Sequence, residues 1–290
     1  MKQRSFIFII LAGILWGTSG IFVEFLAPYG FTSLQMTFFR SVVSFISMLI
    51  FALVHDRKLL KVKLKDIVMF AFSGLAFFGT ASCYYFSMQA TSVSTAVVLM
   101  YTAPVLVMIF SVAFLGEKLT PLKTISVLCM IVGCGLVSGI IGGLKFDIFG
   151  IAIGFLSGIS YSAYNIFTKI EMRRGGNPLS ATMYCFLFST VISFFTCKPQ
   201  TIAGNIAASP AVTLPLIIAL GIFTCILPYL LYTIALKNLP AGTASALSIV
   251  EPMAATIFSV VLFNEAMSVA SIIGIILILG AVYLLSKNEA

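Results

Sequence analysis

Residues 94–117 read STAVVLMYTAPVLVMIFSVAFLGE, and residues 242–265 read GTASALSIVEPMAATIFSVVLFNE. At a shift of 148, Pro104 falls on Pro252 and Glu117 on Glu265, with Ile109, Phe110, Ser111 and Val112 on Ile257, Phe258, Ser259 and Val260. Apolar composition produces chance matches, but it does not bring a proline and a glutamate into register. The chain is therefore read as two related halves. A weaker match at a shift of 145 supports this, placing Leu11, Gly13, Ile14, Ile21 and Phe22 on Leu156, Gly158, Ile159, Ile166 and Phe167.

The solvent of these halves follows from composition. Of the 290 residues, 60% are hydrophobic and 9% charged, against about 25% charged in a soluble domain. Ten apolar runs of bilayer-spanning length follow one another, at 6–27, 32–54, 67–89, 93–115, 122–140, 148–169, 179–197, 213–236, 242–263 and 268–286. They lack the alternation of lipid-facing strands, which excludes a barrel. The expected fold is an all-α integral membrane protein of about ten transmembrane helices, arranged as two five-helix repeats. The halves are 1–141 and 147–287, joined around 142–147. Five spans per half is an odd number, so the second repeat must be inverted.

The formal charge of +8 does not point to nucleic acid, because it is sorted by loop. With the N-terminus inside, 14 of the 17 lysines and arginines fall in cytoplasmic segments. Lys145 and Lys198 fall outside, and Arg40 lies within a span. This positive-inside asymmetry places both termini in the cytoplasm of a cell expected to hold the protein in its plasma membrane. Lys2 and Arg4 precede a stretch longer than a signal-peptide core, without a small-residue cleavage site, so it is read as a retained helix. The six cysteines lie in apolar runs without a CxxC pair and are assigned no chemistry.

The run Trp16-Gly17-Thr18-Ser19, an arginine at position 40 in the second span, the apolar-Pro-apolar…Gly-Glu pattern ending at Glu117, and Glu251-Pro252…Asn264-Glu265 together resemble the EamA branch of the drug/metabolite transporter superfamily. The resemblance covers essentially the whole chain. It implies ten helices in two inverted five-helix repeats, and a transport class that includes exporters of amino acids and other metabolites. Glu24 departs from the pattern, standing where many relatives carry a basic or neutral residue.

Candidate site residues follow from depth. Glu251 lies about nine residues into its span, roughly 13 Å deep, near the centre of a core about 30 Å thick. A carboxylate there needs a partner, a wet cavity or a proton. It would bind a cationic group, cycle a proton, or be satisfied by a neighbouring helix, with Arg40 as the candidate ion pair. Arg40 would hold a substrate carboxylate, pair with Glu24, or snorkel outward, and is assigned with Glu24 to structure or gating. Pro104 and Pro252 sit in mid-run and free the carbonyls of Met100 and Ser248; Pro228 frees that of Thr224. The prolines are read as paired bends, with Ser248 at the site.

Around these stands a polar-aromatic set of Trp16, Ser19, Tyr84, Tyr101, Tyr161, Tyr164, Asn165, Tyr229 and Tyr232. Tyr161, Tyr164 and Asn165 share a helix face, and Tyr84 and Tyr232 are mates at the shift of 148. Mixed apolar and hydrogen-bonding walls suit a small amphipathic organic solute. The only histidine, His55, lies in a loop, and HExxH, GxSxG and Walker patterns are absent. An enzyme is therefore disfavoured, and a receptor or scaffold is the alternative class. The expected partners are a small-molecule substrate and the lipid bilayer, with no cofactor, metal or nucleic acid. Proton coupling through Glu251 and facilitated diffusion both remain open.

Overall fold

Long apolar stretches become helices because lipid offers backbone groups no partner but the chain itself; prolines, glycines and short polar residues then decide where those helices break. The computed structural model describes residues 2–139, 147–264 and 266–289. Its described secondary structure is all helical. Residues 142–146 of the join, with Lys145, and Glu265, which ends the second repeat motif, lie outside the described residues.

The first stretch is two helices, α1 (Lys2–Gly17) and α2 (Ser19–Leu26), parted at Thr18, whose hydroxyl donates to the Leu15 carbonyl at 2.7 Å. Then come α3 (Ser33–His55), opened by a Thr32–Gln35 capping box, and α4 (Leu64–Ala90). The fourth stretch breaks into α5 (Val93–Met100) and α6 (Ala103–Leu115), followed by α7 (Pro121–Val137). In the second half, α8 (Ile148–Arg173) is capped by Asp147, and α9 (Pro178–Phe194) turns through 97° into α10 (Pro199–Ala207). Next, α11 (Pro210–Gly221) runs through a π-helical turn, Ile222–Ile226, into α12 (Leu227–Leu236). Last are α13 (Ala241–Leu247), α14 (Val250–Phe263) and α15 (Val269–Glu289).

Among the described residues, seven helical runs are long and apolar enough to cross a membrane, or eight if α9 with α10 makes one. The sequence stretches outside the seven are α7, α8 and α9. Helices α7 and α9 have 17 residues each, and α8 has 26 but carries Asn165, Lys169 and Glu171. The polarity of α8 reflects its position. It packs against α4, α5 and α6, and its buried face includes Tyr161, Tyr164, Asn165 and Thr168.

Two expectations are corrected. Pro104 and Pro252 are not mid-helix kinks: each sits in the first turn of a new helix, after breaks at 101–102 and 248–249. There the missing N–H removes no bond within the new helix, since first-turn amides lack a helical acceptor. The seventh stretch also ends earlier than expected, because Pro199 starts α10 at an angle.

The helix pairs exchange under the repeat. Helix α4 packs on α8 as α12 packs on α1, and α6 packs on α8 as α14 packs on α1. Small residues permit the closest approaches. A Cβ placed on Gly133 of α7 would stand 2.8 Å from the Gly274 carbonyl oxygen of α15, and one on Gly274 would stand 2.6 Å from that of Gly133. Gly280, on the same helix, meets nothing within 4 Å. Gly274→Ala is therefore expected to cost about 1–3 kcal/mol of overpacking. Gly280→Ala should be neutral, or stabilise by up to about 1 kcal/mol through helix propensity. Thermal unfolding of the two variants in detergent tests this, and equal melting temperatures would remove the close contact.

Candidate functional site

The site is built where two broken stretches meet. Ser248 and Ile249 end the α13 segment, so Glu251 enters the first turn of α14, where helix-terminal N–H groups favour a negative charge. Its amide donates to the Ser248 carbonyl at 3.0 Å, so the oxygen freed by Pro252 is held within the break itself. From the equivalent break in the other half, the Tyr101 hydroxyl donates to Glu251 Oε2 at 2.7 Å. Tyr84 and Tyr161 lie within electrostatic reach of the same carboxylate.

Glycine mates clamp both breaks. A Cβ on Gly13 would stand 3.2 Å from Val250 Cβ and 3.4 Å from the Glu251 nitrogen. Its mate Gly158 would stand 3.0 Å from the Leu99 carbonyl oxygen and 3.3 Å from that of Met100. The sequence-read freed carbonyl of Met100 therefore faces the bare backbone of α8. One turn on, the Ser162 hydroxyl donates to the Ala103 carbonyl at 3.2 Å.

Beside the carboxylate stands an aromatic cluster. Trp16, Tyr101, Tyr161 and Tyr164 are 3%, 2%, 9% and 3% exposed, so none of the four faces lipid. Tyr161 donates to Ser248 Oγ at 3.1 Å, and the Tyr232 hydroxyl donates to Asn165 Oδ1. Asn165 in turn donates to the Tyr161 carbonyl at 2.7 Å. Tyr229 is the hub: its ring meets Trp16 at 4.9 Å, Phe77 at 5.1 Å, and both Tyr164 and Phe186 at 5.5 Å. The sequence placed it in the polar-aromatic set, without marking it as the residue the others pack around. The Trp16 indole N–H is buried without a hydrogen-bond partner among the described residues. Tyr84 and Ser19 are half-buried and peripheral to this cluster.

Arg40 does not pair with Glu251 or Glu24, contrary to the sequence-based alternatives. Its Nη2 donates to the Thr224 carbonyl at 3.1 Å and its Nε to Cys225 Sγ at 3.3 Å. Thr224 is the residue whose carbonyl Pro228 deprives of an amide, so the guanidinium fills the gap that the proline opens in the π turn. Cys225, read as an inert hydrophobe, is a hydrogen-bond partner after all. Arg40 and Glu251 still feel one another's charge without forming a salt bridge. Glu24 is exposed on α2 and lines a cleft with Gly17, Gly20, Ala255 and Ser259 of α1, α2 and α14. Gly17 also abuts the site: a Cβ there would stand 3.0 Å from the Glu251 carbonyl oxygen.

At the end holding the N-terminus, polar contacts tie helix ends together. Glu117 Oε1 accepts the Ala241 amide at 2.9 Å and pairs with Arg173 at 3.6 Å. Lys169 donates to the last carbonyls of the α12 segment, Leu236 and Leu239, both at 2.5 Å.

The model of the EamA-like transporter family matches residues 3–139 and again 148–287. An uncharacterized transporter of Clostridium kluyveri is 27% identical over 302 residues, spanning 99% of this chain and 94% of its own. One of Archaeoglobus fulgidus is 28% identical over 281 residues, spanning 94% and 93%. The uncharacterized transporter YwfM of Bacillus subtilis is 24% identical, covering 94% of this chain and 90% of its own. A protein of known crystal structure superposes with a TM-score of 0.81 over 100% of this chain and 98% of its own; at 19% identity this likeness concerns the fold alone.

Arg40→Ala should leave the Thr224 carbonyl without a donor, at about 1–3 kcal/mol. In a Pro228→Ala background, which restores an amide to that carbonyl, the loss should shrink. A double-mutant cycle of thermal unfolding measures the difference, and additive losses would show that Arg40 serves something other than this carbonyl.

Proposed function

Because the chain belongs to the EamA-like transporter family, we propose that this membrane transporter is a secondary carrier of small organic metabolites. It works by alternating access across the cytoplasmic membrane, in the direction of export. It has ten spans in two inverted halves, 1–141 and 147–287, with both termini cytoplasmic. The two separate family matches, the exchanged helix pairs and the paired breaks at 101–102 and 248–249 support the two-half reading. The sorting of positive charge supports the orientation.

The observation that carries the reading is the Tyr101–Glu251 hydrogen bond. It joins the break of one half to the break of the other, and sets one carboxylate among aromatic walls. A carboxylate can accept about four hydrogen bonds, so a single phenol leaves it able to receive a substrate's ammonium group or a proton. Either event changes the strength of the bond between halves. Substrate binding is thereby coupled to the contact that must rearrange when the halves rock. The tied end at Glu117 and the cleft at Glu24 support a state shut towards the cytoplasm and opening to the outside.

The alternative, a receptor or scaffold, is not favoured by a lone carboxylate at this depth, which is costly to bury unless used. Glu251→Gln keeps the shape and removes the charge. Since no salt bridge among the described residues depends on it, the folded protein should persist while solute counterflow in reconstituted vesicles falls at least about tenfold, a loss of ~1.4 kcal/mol, or loses its pH dependence. Tyr101→Phe should lower flux less. Unchanged wild-type flux at every pH from a stably folded Glu251→Gln protein would end this reading. The orientation has its own check: a cysteine at Asn288 should be labelled from the cytoplasm and not from outside intact cells.

A further inference from the structure

Glu171 is an acid that the transport reading leaves unused. It stands two residues beyond the apolar stretch of α8 that ends at Lys169, at the same end of the bundle as the N-terminus, where Ser5 of α1 receives a hydrogen bond from Asn238. It is 2% exposed, and its Oε1 is buried without a hydrogen-bond partner among the described residues. Arg173 of the same helical end is committed to Glu117 and the Leu115 carbonyl, so it supplies no counter-charge.

Glu171 lines a small cavity among α4, α8, α9 and α12, with hydroxyls from Ser73, Tyr164, Thr168, Thr182 and Thr233. Its free space holds about one water molecule. The lining is a set of proton donors and acceptors. Thr182, whose hydroxyl donates to the Pro178 carbonyl at 2.8 Å, has its oxygen 3.4 Å from that of Thr233, and the Tyr164 hydroxyl interacts with both Thr168 and Thr233. Three of the groups fall on one face of α8. Residues 161, 164, 168 and 171 are spaced three, four and three apart, a stripe about 15 Å long at 1.5 Å per residue. That is about half of a 30 Å hydrocarbon core. Its inner end, Tyr161, bonds Ser248 and lies within electrostatic reach of Glu251.

We propose that Glu171 is a second proton-binding site, which takes a proton at the cytoplasmic end of the bundle and passes it through this hydroxyl-lined cavity towards Tyr161 and Glu251. The carboxyl gives up its proton to the cavity water or to a hydroxyl, which releases its own onward, and the carboxylate is reloaded from the cytoplasm. The proton site stands without the transport reading, and only the relay rests on it. The titratable and charged groups around Glu171 are Asp66 of α4, Arg174 at the end of α8, Cys185 of α9, and Tyr164 on its own helix; α12 contributes Thr233, which does not titrate. Burial first, and Asp66 second, push the Glu171 carboxyl up to about 7, against the pull of Arg174.

Infrared titration of the purified full chain, with the proton itself as probe, reads the site without any need for flux. The wild type should show a protonated carboxyl band that disappears around neutral pH. Glu171→Gln should lack that band, while Glu251→Gln should keep it. Identical titrations for wild type and Glu171→Gln, from mildly acidic to mildly alkaline pH, would overturn the site. Thr168→Val serves where Glu171→Gln fails to fold: it keeps the shape and should shift the same band, and a band unmoved by it would also count against the site. The relay is read by stopped-flow proton uptake into vesicles after an external pH step. Thr168→Val should slow it several-fold with the band still present, and unchanged uptake would reject the relay while leaving the proton site standing.

Discussion

A backbone carbonyl stripped of its amide inside a membrane needs another donor or bare backbone beside it, and the surroundings of Glu251 and Arg40 are arranged around three such oxygens. Pro104, Pro252 and Pro228 remove the amides opposite Met100, Ser248 and Thr224. The Thr224 oxygen is met by the Arg40 guanidinium, reaching across from α3, and the Ser248 oxygen by the Glu251 amide in the same turn. The Met100 oxygen lies against Gly158, where the absence of a side chain leaves room. Each remedy brings in another helix or fixes a functional group. The positions of Arg40, Glu251 and the two glycine clamps thus go together with where the prolines sit, and the proposed solute site falls where backbone polarity is already exposed.

The two ends of the bundle are held by different means. At the N-terminal end, ionic and backbone bonds tie the ends of α6 and α8 to the start of α13 through Glu117 and Arg173, and Lys169 caps the α12 segment. At the opposite end, α2 and α14 touch through Phe25 and Phe263, with ring centroids 6.3 Å apart, and flank the cleft at Glu24, where Gly20 meets nothing within 4 Å. Polar ties can be exchanged for water at little net cost, whereas interlocked apolar packing cannot. On the proposed alternating-access reading, the tied end is the one suited to open and reclose, and α8, which carries Lys169, Glu171 and Arg173 at that end, is the helix through which such a change would reach Tyr161.

Much of this was legible in the sequence because membranes penalise the residues that matter. A proline, an acid or an arginine in an apolar run stands out, so Pro104, Pro252, Arg40 and Glu251 could be named before any coordinates. The family was legible too, from Trp16-Gly17-Thr18-Ser19 and the two Pro…Glu motifs. Partners were not, because hydrogen bonding is decided by contacts between residues far apart in the chain. Arg40 and Thr224 are separated by 184 positions, and nothing in either segment's composition distinguishes that pairing from one with Glu24 or Glu251. Helix breaks were read as kinks for a related reason: a proline is compatible with either a bend or a fresh first turn, and packing against Gly13 and Gly158 selects the latter. Tyr229 was passed over as a hub because ring packing leaves no periodic trace.

Ser41 and Ser189 share a hydrogen bond of 2.9 Å, and they stand 148 positions apart, the same interval as the two prolines. Two equivalent hydroxyls touching is the contact that identical half-length chains would make if they assembled in opposite orientations. In such an assembly every pocket residue would occur twice, so an acid at this depth would face its own copy and share its desolvation and repulsion. Joining the halves in one polypeptide lifts that obligation. The position equivalent to Glu251 is Ala103, so the fused chain carries one carboxylate where a homodimer would carry two. The stoichiometry of charge at the centre is in this way a property of the linkage between halves as much as of the pocket.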